Sequence, residues 1–386
     1  MNGTAPVDVA VVGLGFGEEF LPLYAAHPSV GSIAIVDPSM ERLTEVGNRH
    51  GIRDRYTAFG DMLSDGRWDA VHILVPVALH AEYTLAALGA GKHCACAVPM
   101  ATEIDDLNAI VSAQQTSGKN YMMMETSVYG REYLVADEMY RAGDLGTLTL
   151  YRGYHVQNLD GYPDYWRGYP PMKYVTHALS PFLALTGSPV SDVTAYGSSR
   201  LTEHRLGRYD NPFPVEVGLF RLADGDVVAD ITMSFFQTAR SYVEGFSIYG
   251  DRRSLEWSGA PDDAMRVFDL HPPRDADQLR RGWRGRAADE SDLEPPDFAD
   301  RLPDELAGYV RSYTFTPHDG GPAESRSAGH GGSHPHLVDE FVTSIVDGRS
   351  PAIDAVTSAT WTAPGIVAHE SALRGGERLQ VPTFSG

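Results

Sequence analysis

Between Arg152 and His177 the chain places two histidines, His155 and His177, among a lysine, two arginines and several aromatic rings. An imidazole takes up and gives back a proton near neutrality, which suits general acid–base chemistry. Lys173 and Tyr174 lie just before His177, and both residue types can share in such a transfer. Glu125 closes the run "YMMME". A carboxylate at the C-terminal end of a strand in an α/β sheet falls in the crevice where ligands bind. His177, His155, Lys173, Tyr174 and Glu125 are residues whose types allow such chemistry. Arg152, Arg167 and Lys173 stand out in a chain of net charge -21. Such a cluster suits an anionic group on a substrate. The opposing reading gives Arg167 to a cofactor and Lys173 to the chemistry.

A second constellation lies near the N-terminus. "GLGFGE" supplies Gly13, Gly15 and Gly17, with Phe16 between the last two. Between a strand and a helix, such glycines permit a tight turn and let a pyrophosphate approach backbone N–H groups. The usual third glycine of this fingerprint falls at Glu18. Asp37 ends the next apolar run, "SIAIVD". A carboxylate there accepts from ribose hydroxyls and repels a 2′-phosphate, so NAD is expected over NADP. Arg42 is the first cation after it. His330, His334 and His336 in "HGGSHPH" lack any standard zinc spacing, and no metal site is expected.

These groups need elements to hold them. "VDVAVVGLG", "SIAIVD", "DAVHILVP", "HCACAV" and "NYMMME" are short apolar runs separated by helical stretches. That alternation predicts a doubly wound parallel sheet. After Gly146 the runs alternate like strands of an open sheet, with a hairpin expected at Asp224-Gly225. The expected fold class is α/β. A Rossmann dinucleotide-binding domain spans 1–125, and an α+β domain with an open, mostly antiparallel sheet spans 126–386. Residues of about 260–330 read as a loop-rich insert with a short helix. "PHLVDEFVTSIVDG" reads as a helix begun by Pro335 and closed by Gly348.

The whole chain sets further bounds. Its 386 residues can form two cores. No apolar run approaches the roughly 18 to 20 residues of a membrane span. The first strand begins without a basic leader region, so a cytoplasmic location is expected. Cys94 and Cys96 share one face of a strand and read as buried thiols, not a disulfide. The net charge of -21 argues against nucleic acid and anionic membranes as partners.

"VPVALHAEYTLAALGAGKHCACAVPMA" resembles the nucleotide-domain signature of the Gfo/Idh/MocA oxidoreductases. Val75, Pro76, His80, Gly91, Lys92, His93 and Pro99 carry the likeness, and "IYGDRRSLEW" and "ALRGGERLQVP" extend it along the chain. The resemblance implies a Rossmann domain joined to an open-faced antiparallel sheet, and homo-oligomers, dimeric or tetrameric, formed through that sheet. It implies NAD held with help from Val75, Pro76, His80 and Pro99, and from Trp166 and Arg167, which look like the family's cofactor-touching Trp-Arg pair. It also exposes a loss. Ordinary members end this segment in Glu-Lys-Pro, whereas here it reads Ala97-Val98-Pro99. Where they carry an Asp four residues before the family histidine, this chain has Lys173 before His177.

"YMMME", "YVTH" and "GHGG" are similar to motifs of the family's NAD-dependent glycoside hydrolases, the α-N-acetylgalactosaminidase-like subgroup. The implied reaction is transient oxidation at sugar carbon 3, loss of the aglycone, addition of water and re-reduction, with NAD regenerated each turn. His177 would manage the carbon 3 hydroxyl proton, and His155 or Tyr174 the next proton or the leaving group. The chain departs from this subgroup at "GYHVQN", where His155 lies near the position of a tyrosine. The aromatic residues around His177 suit the apolar face of a pyranose, and the cations suit a uronate or a sulfoquinovoside. The alternative is a plain NAD-dependent sugar or cyclitol dehydrogenase using Lys173 and His177. A member that binds sugar without turning it over is a third reading.

Overall fold

The computed structural model describes residues 5–260, 263–271 and 288–385. They fall into two compact units, Met1–Arg131 with Asp297–Ile366 and Pro382–Gly386, and Glu132–Pro296 with Val367–Val381.

The first unit is built on six strands, β1 (Val7–Val12), β2 (Val30–Val36), β3 (Asp54–Tyr56), β4 (Ala70–Ile73), β5 (His93–Cys96) and β6 (Tyr121–Met123). Their order is β3-β2-β1-β4-β5-β6 and every pairing is parallel. That is the strand order of the dinucleotide-binding fold. The strands read as near-continuous apolar runs because both faces are covered. Val9, Val11, Ala34, Ile35, Val71 and Ile73 are all fully buried. Cys94 and Cys96 are free and buried, and burial pushes the Cys96 thiol up to about 12.

Helices α1 (Leu14–Gly17), α2 (Leu21–Ala26), α3 (Met40–Arg49), α4 (Phe59–Ser64), α5 (His80–Gly89) and α6 (Ile104–Ser117) connect the strands. Strand β3 has no apolar run to announce it, since "DRY" is only half-buried at an edge.

The second unit is entered through α7 (Arg131–Arg141) and contains a nine-stranded sheet. Its strands are β7 (Leu148–Val156), β8 (Val190–Ser198), β9 (Val215–Leu222), β10 (Val228–Ser234), β11 (Val243–Gly250), β12 (Arg253–Trp257), β13 (Met265–Leu270) and β14 (Ala288–Leu293), with one more edge strand from the chain's end. The pairings are antiparallel except β10 with β7. The hairpin at Asp224-Gly225 joins β9 to β10 as expected, with Gly225 at φ 89°.

Alternation sorts the two faces. On β9, Glu216, Phe220 and Leu222 point inward, while Val217 and Leu219 are exposed on the outer face beside Tyr196 of β8. The inner face is covered by α8 (Thr176–Thr186), whose Phe182 stacks on Tyr151 at 4.7 Å. Burying each such ring contributes about 2–3 kcal/mol.

The structure corrects two expectations from sequence. The insert of about 260–330 is not simply loops. It contains β13 and β14, a short helix α9 (Asp304–Ala307), and the hairpin β15 (Tyr313–Phe315) with β16 (Glu324–Arg326). Its residues 272–287 lie outside the described residues. The second correction concerns the domain boundary, because Asp297–Ile366 packs with the first unit and not the second.

The reason for that packing lies in α10 (Gly329–Val346). It buries Leu337, Val338, Phe341 and Val342. It is also tied to the Rossmann core by His27 Nε2 to Asp339 at 3.2 Å and by Asn120 Nδ2 donating to Ser344 at 2.9 Å. This helix begins before the expected Pro335, across a kink in which His330, Gly331 and Gly332 are left-handed. The chain's last strand is β17 (Leu379–Gln380), reached through α11 (Ala355–Leu373).

Candidate functional site

The glycine loop occupies the turn from β1 into α1. Gly13 adopts φ 89°, and a Cβ there would lie 2.5 Å from the Leu74 carbonyl oxygen, so the turn presses against the end of β4. Gly15 and Phe16 are exposed, and nothing lies within 4 Å of where a Gly15 side chain would stand. Gly17 carries the close helix–strand approach, since a Cβ would come 2.9 Å from the Val11 side chain. The carboxylate of Asp37 accepts from Leu14 N–H at 3.0 Å and Ser39 N–H at 2.9 Å. A cradle free of side chains, flanked by a carboxylate at the end of β2, fits the pyrophosphate and ribose of a dinucleotide.

Glu18, the departure from the glycine fingerprint, is an ionic hub. It accepts from Arg42 Nη2 at 3.2 Å, meets His50 Nε2 at 3.2 Å, and pairs with Arg326 at 3.2 Å and Arg49 at 3.7 Å. The hydrogen bond with His50 holds the Glu18 carboxyl down at about 2, against the opposing pull of burial. Arg42 also donates to the Leu14 carbonyl at 3.0 Å and lies 3.5 Å from Glu45, so its guanidinium is committed to the underside of the loop.

Val75 and Pro76 follow β4 and are half-buried. His80 is buried, with Nδ1 2.8 Å from the Pro99 carbonyl and Nε2 3.0 Å from the Val75 carbonyl. Burial lowers its pKa. The sequence expectation had His80 touching the cofactor. Both ring nitrogens face backbone carbonyls, so it braces two loops beside the glycine turn's strand end. Pro99 is buried behind a cis Val98-Pro99 bond. Lys92, the lysine kept in this segment, is buried and donates to the Trp68 carbonyl at 2.6 Å. Glu125 is buried at the end of β6, where its Oε1 caps the turn Thr126–Val128 by accepting from Ser127 N–H at 3.0 Å.

His330 Nδ1 meets His334 Nε2 at 3.0 Å, and His334 stacks on Phe20. His336 stacks near Tyr129. Among the described residues no three His, Cys, Asp or Glu groups are placed to hold a metal ion.

The second unit gathers the histidines. His155 lies on the inner face of β7, and His177 in the first turn of α8, with ring centroids 5.6 Å apart. Gly153 makes this possible: a Cβ there would come 2.2 Å from the Ala178 carbonyl oxygen, so α8 can settle onto β7. Tyr151 donates to the same oxygen at 2.8 Å.

Tyr174 ends the turn Pro171–Tyr174, with its ring 5.0 Å from His177 and 6.0 Å from His155. That turn is anchored by buried Glu216, which accepts from Met172 N–H at 2.8 Å and meets His369 Nδ1 at 2.7 Å. Lys173 lies half-buried in the same turn. Phe235 closes the ring cluster, 5.1 Å from His155 and 5.7 Å from Tyr174. Trp166 packs edge-on to Tyr169 and Tyr174 at 5.2 and 5.5 Å.

Sequence reasoning missed Glu244 and Tyr242. Glu244 Oε1 lies 3.7 Å from His177 Nδ1 and 3.8 Å from His155 Nδ1, and it accepts the Tyr242 hydroxyl. The missing signal was register: β11 pairs Glu244 directly opposite His155, which neither strand's own sequence states.

The cation cluster expected between residues 152 and 173 does not assemble. Arg152 is exposed on the face of β7 opposite to His155, and its Nε pairs with Asp230 at 3.1 Å. Three residues apart on a strand means opposite faces. Arg167 is exposed and pairs with Asp164 at 3.2 Å. Arg167, Asp160, Tyr162 and Arg205 line a cavity of about 410 Å³. Gln157 links it to the histidines, meeting His155 Nε2 at 3.3 Å and donating to the Tyr162 hydroxyl at 2.9 Å.

Known proteins share these features. Residues 7–125 match the model of an oxidoreductase family with an NAD-binding Rossmann fold. A glycosyl hydrolase family 109 protein of Streptomyces niveus is 25% identical, covering 98% of this chain and 77% of that protein. Another from Streptomyces coelicolor is 26% identical, covering 98% and 83%. A levoglucosan dehydrogenase solved with NADH and L-sorbose superposes with a TM-score of 0.77 at 20% identity, over 99% of this chain and 100% of that one. That likeness is one of fold. Residues 7–125 are thus similar to the NAD-binding Rossmann domain of the Gfo/Idh/MocA oxidoreductases.

Proposed function

We propose that the protein is an NAD-dependent glycoside hydrolase that works by transient oxidation of the sugar. The observation that carries this reading is the buried cluster of His177, His155 and Glu244 in a chain whose expected catalytic lysine position holds no lysine. NAD, when bound, supplies reversible acceptance of a hydride. His177 takes the proton of the sugar hydroxyl as that carbon is oxidised and returns it when the carbon is reduced again. Once the ketone has formed, the neighbouring C–H is acidic enough for a modest base, and His155 or Tyr174 serves there or at the leaving oxygen. Trp166 and Tyr174, both half-buried, offer their rings to the pyranose, with buried Phe235 packed behind Tyr174.

Relatives named as family 109 glycosyl hydrolases along nearly the whole chain support hydrolysis. The uronate or sulfoquinovoside expectation loses two of its three cations to Asp230 and Asp164. With Glu244 at the centre of the cluster, an uncharged sugar is the better substrate.

The dehydrogenase reading keeps one observation in its favour. His155 stands near the position where the similar glycosidases carry a tyrosine. Nitrophenyl glycosides with catalytic NAD decide between the two. Hydrolysis predicts nitrophenol release with no net NADH. Stoichiometric NADH from free sugars would replace it with the dehydrogenase. His177→Ala is expected to lower turnover by about 10² to 10⁴ while NAD binding persists, and near-normal turnover would remove His177 from the mechanism.

A further inference from the structure

We infer that Glu244 is a positioning residue that binds His155 and His177 into one proton-sharing unit. This rests on the reading of His177 as the group that takes the hydroxyl proton. Two elements and a tyrosine next to Glu244's own strand converge on one atom. From β7 comes His155 Nδ1 at 3.8 Å and from α8 His177 Nδ1 at 3.7 Å, and the hydroxyl of Tyr242, just before β11, donates to the same Glu244 Oε1. The side chains of His155, His177 and Glu244 are only 1%, 5% and 12% exposed. At that burial one carboxylate charge acts strongly on a neighbouring imidazole.

The two histidines are held differently. His155 has the Gln157 amide oxygen at Nε2, 3.3 Å away, while Glu244 Oε1 lies 3.8 Å from Nδ1, an ion-pair separation longer than a hydrogen bond. The bond from Gln157 Nε2 to the Tyr162 hydroxyl turns the amide oxygen toward the ring. A carboxylate at that range favours the imidazolium through its charge, and the amide oxygen accepts from Nε2–H. His177 presents Nδ1 to the carboxylate, which favours the tautomer whose basic nitrogen is Nε2. Among the described residues, titratable groups facing Glu244 include His155, His177 and Tyr242, with the Tyr174 phenol packed against both imidazoles. One carboxylate compensates one imidazolium, and a second is opposed by the first. A proton taken up by His177 therefore enters a unit whose charge Glu244 sets.

The test is a titration of the imidazole NMR signals of His155 and His177 in the full-length protein without substrate. The signals are assigned with His155→Asn and His177→Asn. The wild type is expected to show two well-separated steps. Glu244→Gln should move the upper step to lower pH and lower turnover about 10- to 100-fold. The limb of the rate profile should move with it, and NAD affinity should stay unchanged. Imidazole titrations identical in Glu244→Gln and wild type would overturn the inference. If Glu244→Gln does not fold, Tyr242→Phe replaces it. Removing the competing donor from Oε1 should move the upper step to higher pH, and an unmoved step would overturn the inference equally. The titration needs no turnover. An inactive wild type would defeat the proposed hydrolysis while leaving this result intact.

Discussion

Cofactor choice is decided by single residues around the glycine loop. Asp37 carries negative charge where a 2′-phosphate would sit, and the nearest cation cannot relieve it. Arg42 is held by the Leu14 carbonyl, Glu18 and Glu45. NAD should therefore bind at least about tenfold more tightly than NADP, or ~1.4 kcal/mol. Asp37→Ser should narrow the gap. Isothermal calorimetry with both dinucleotides checks this, and equal affinities would mean that Arg42 leaves its partners.

At this scale the sequence was partly legible. Asp37 could be read because strand, turn and acid are consecutive. Glu18 read as a defect in a motif because its partners come from residues 42, 49, 50 and 326, which no local pattern connects. Glu244 was hidden for the same reason.

Strands and helices set how closely the two imidazoles approach. Gly153 is the element-scale determinant, since its missing side chain is the space into which the Ala178 carbonyl of α8 descends. Gly153→Ala should destabilise the protein by about 1–3 kcal/mol and lower turnover while NAD affinity is retained. Urea unfolding and calorimetry on one preparation separate these effects. An unchanged unfolding midpoint would show that α8 tolerates displacement. The alternating strands of the second sheet and the apolar runs of the first were legible because burial imposes a period on each segment alone. Strand order, the parallel β10–β7 pairing and the place of α10 were not, because they depend on which distant surface an element covers.

Across the whole molecule, buried histidines make stability depend on pH. Burial lowers His72 to about 3 and His93 and His336 to about 4, and it pushes His334 well below its ordinary value. In the unfolded chain these groups bind protons below about 6.5, whereas the folded protein resists them, so stability falls as pH drops from about 6.5 to about 4. Glu18 acts in a lower window. Its depressed pKa of about 2 contributes up to about 3 kcal/mol above pH ~4.5, lost as pH falls toward 2. Melting temperatures taken between about pH 7 and pH 4.5 should decline steadily, and a flat profile would contradict neutral burial of these imidazoles. Another consequence concerns how the protein is made. The first unit needs the segment Asp297–Ile366, made long after its sheet, and the second needs residues 367–381. At about 5–20 residues per second, the surface of the first unit that α10 covers stays open on the ribosome for on the order of tens of seconds. Protease resistance of the nascent nucleotide unit should therefore arise only after residue 346 has left the ribosome, when a helix made late arrives to close a core begun early.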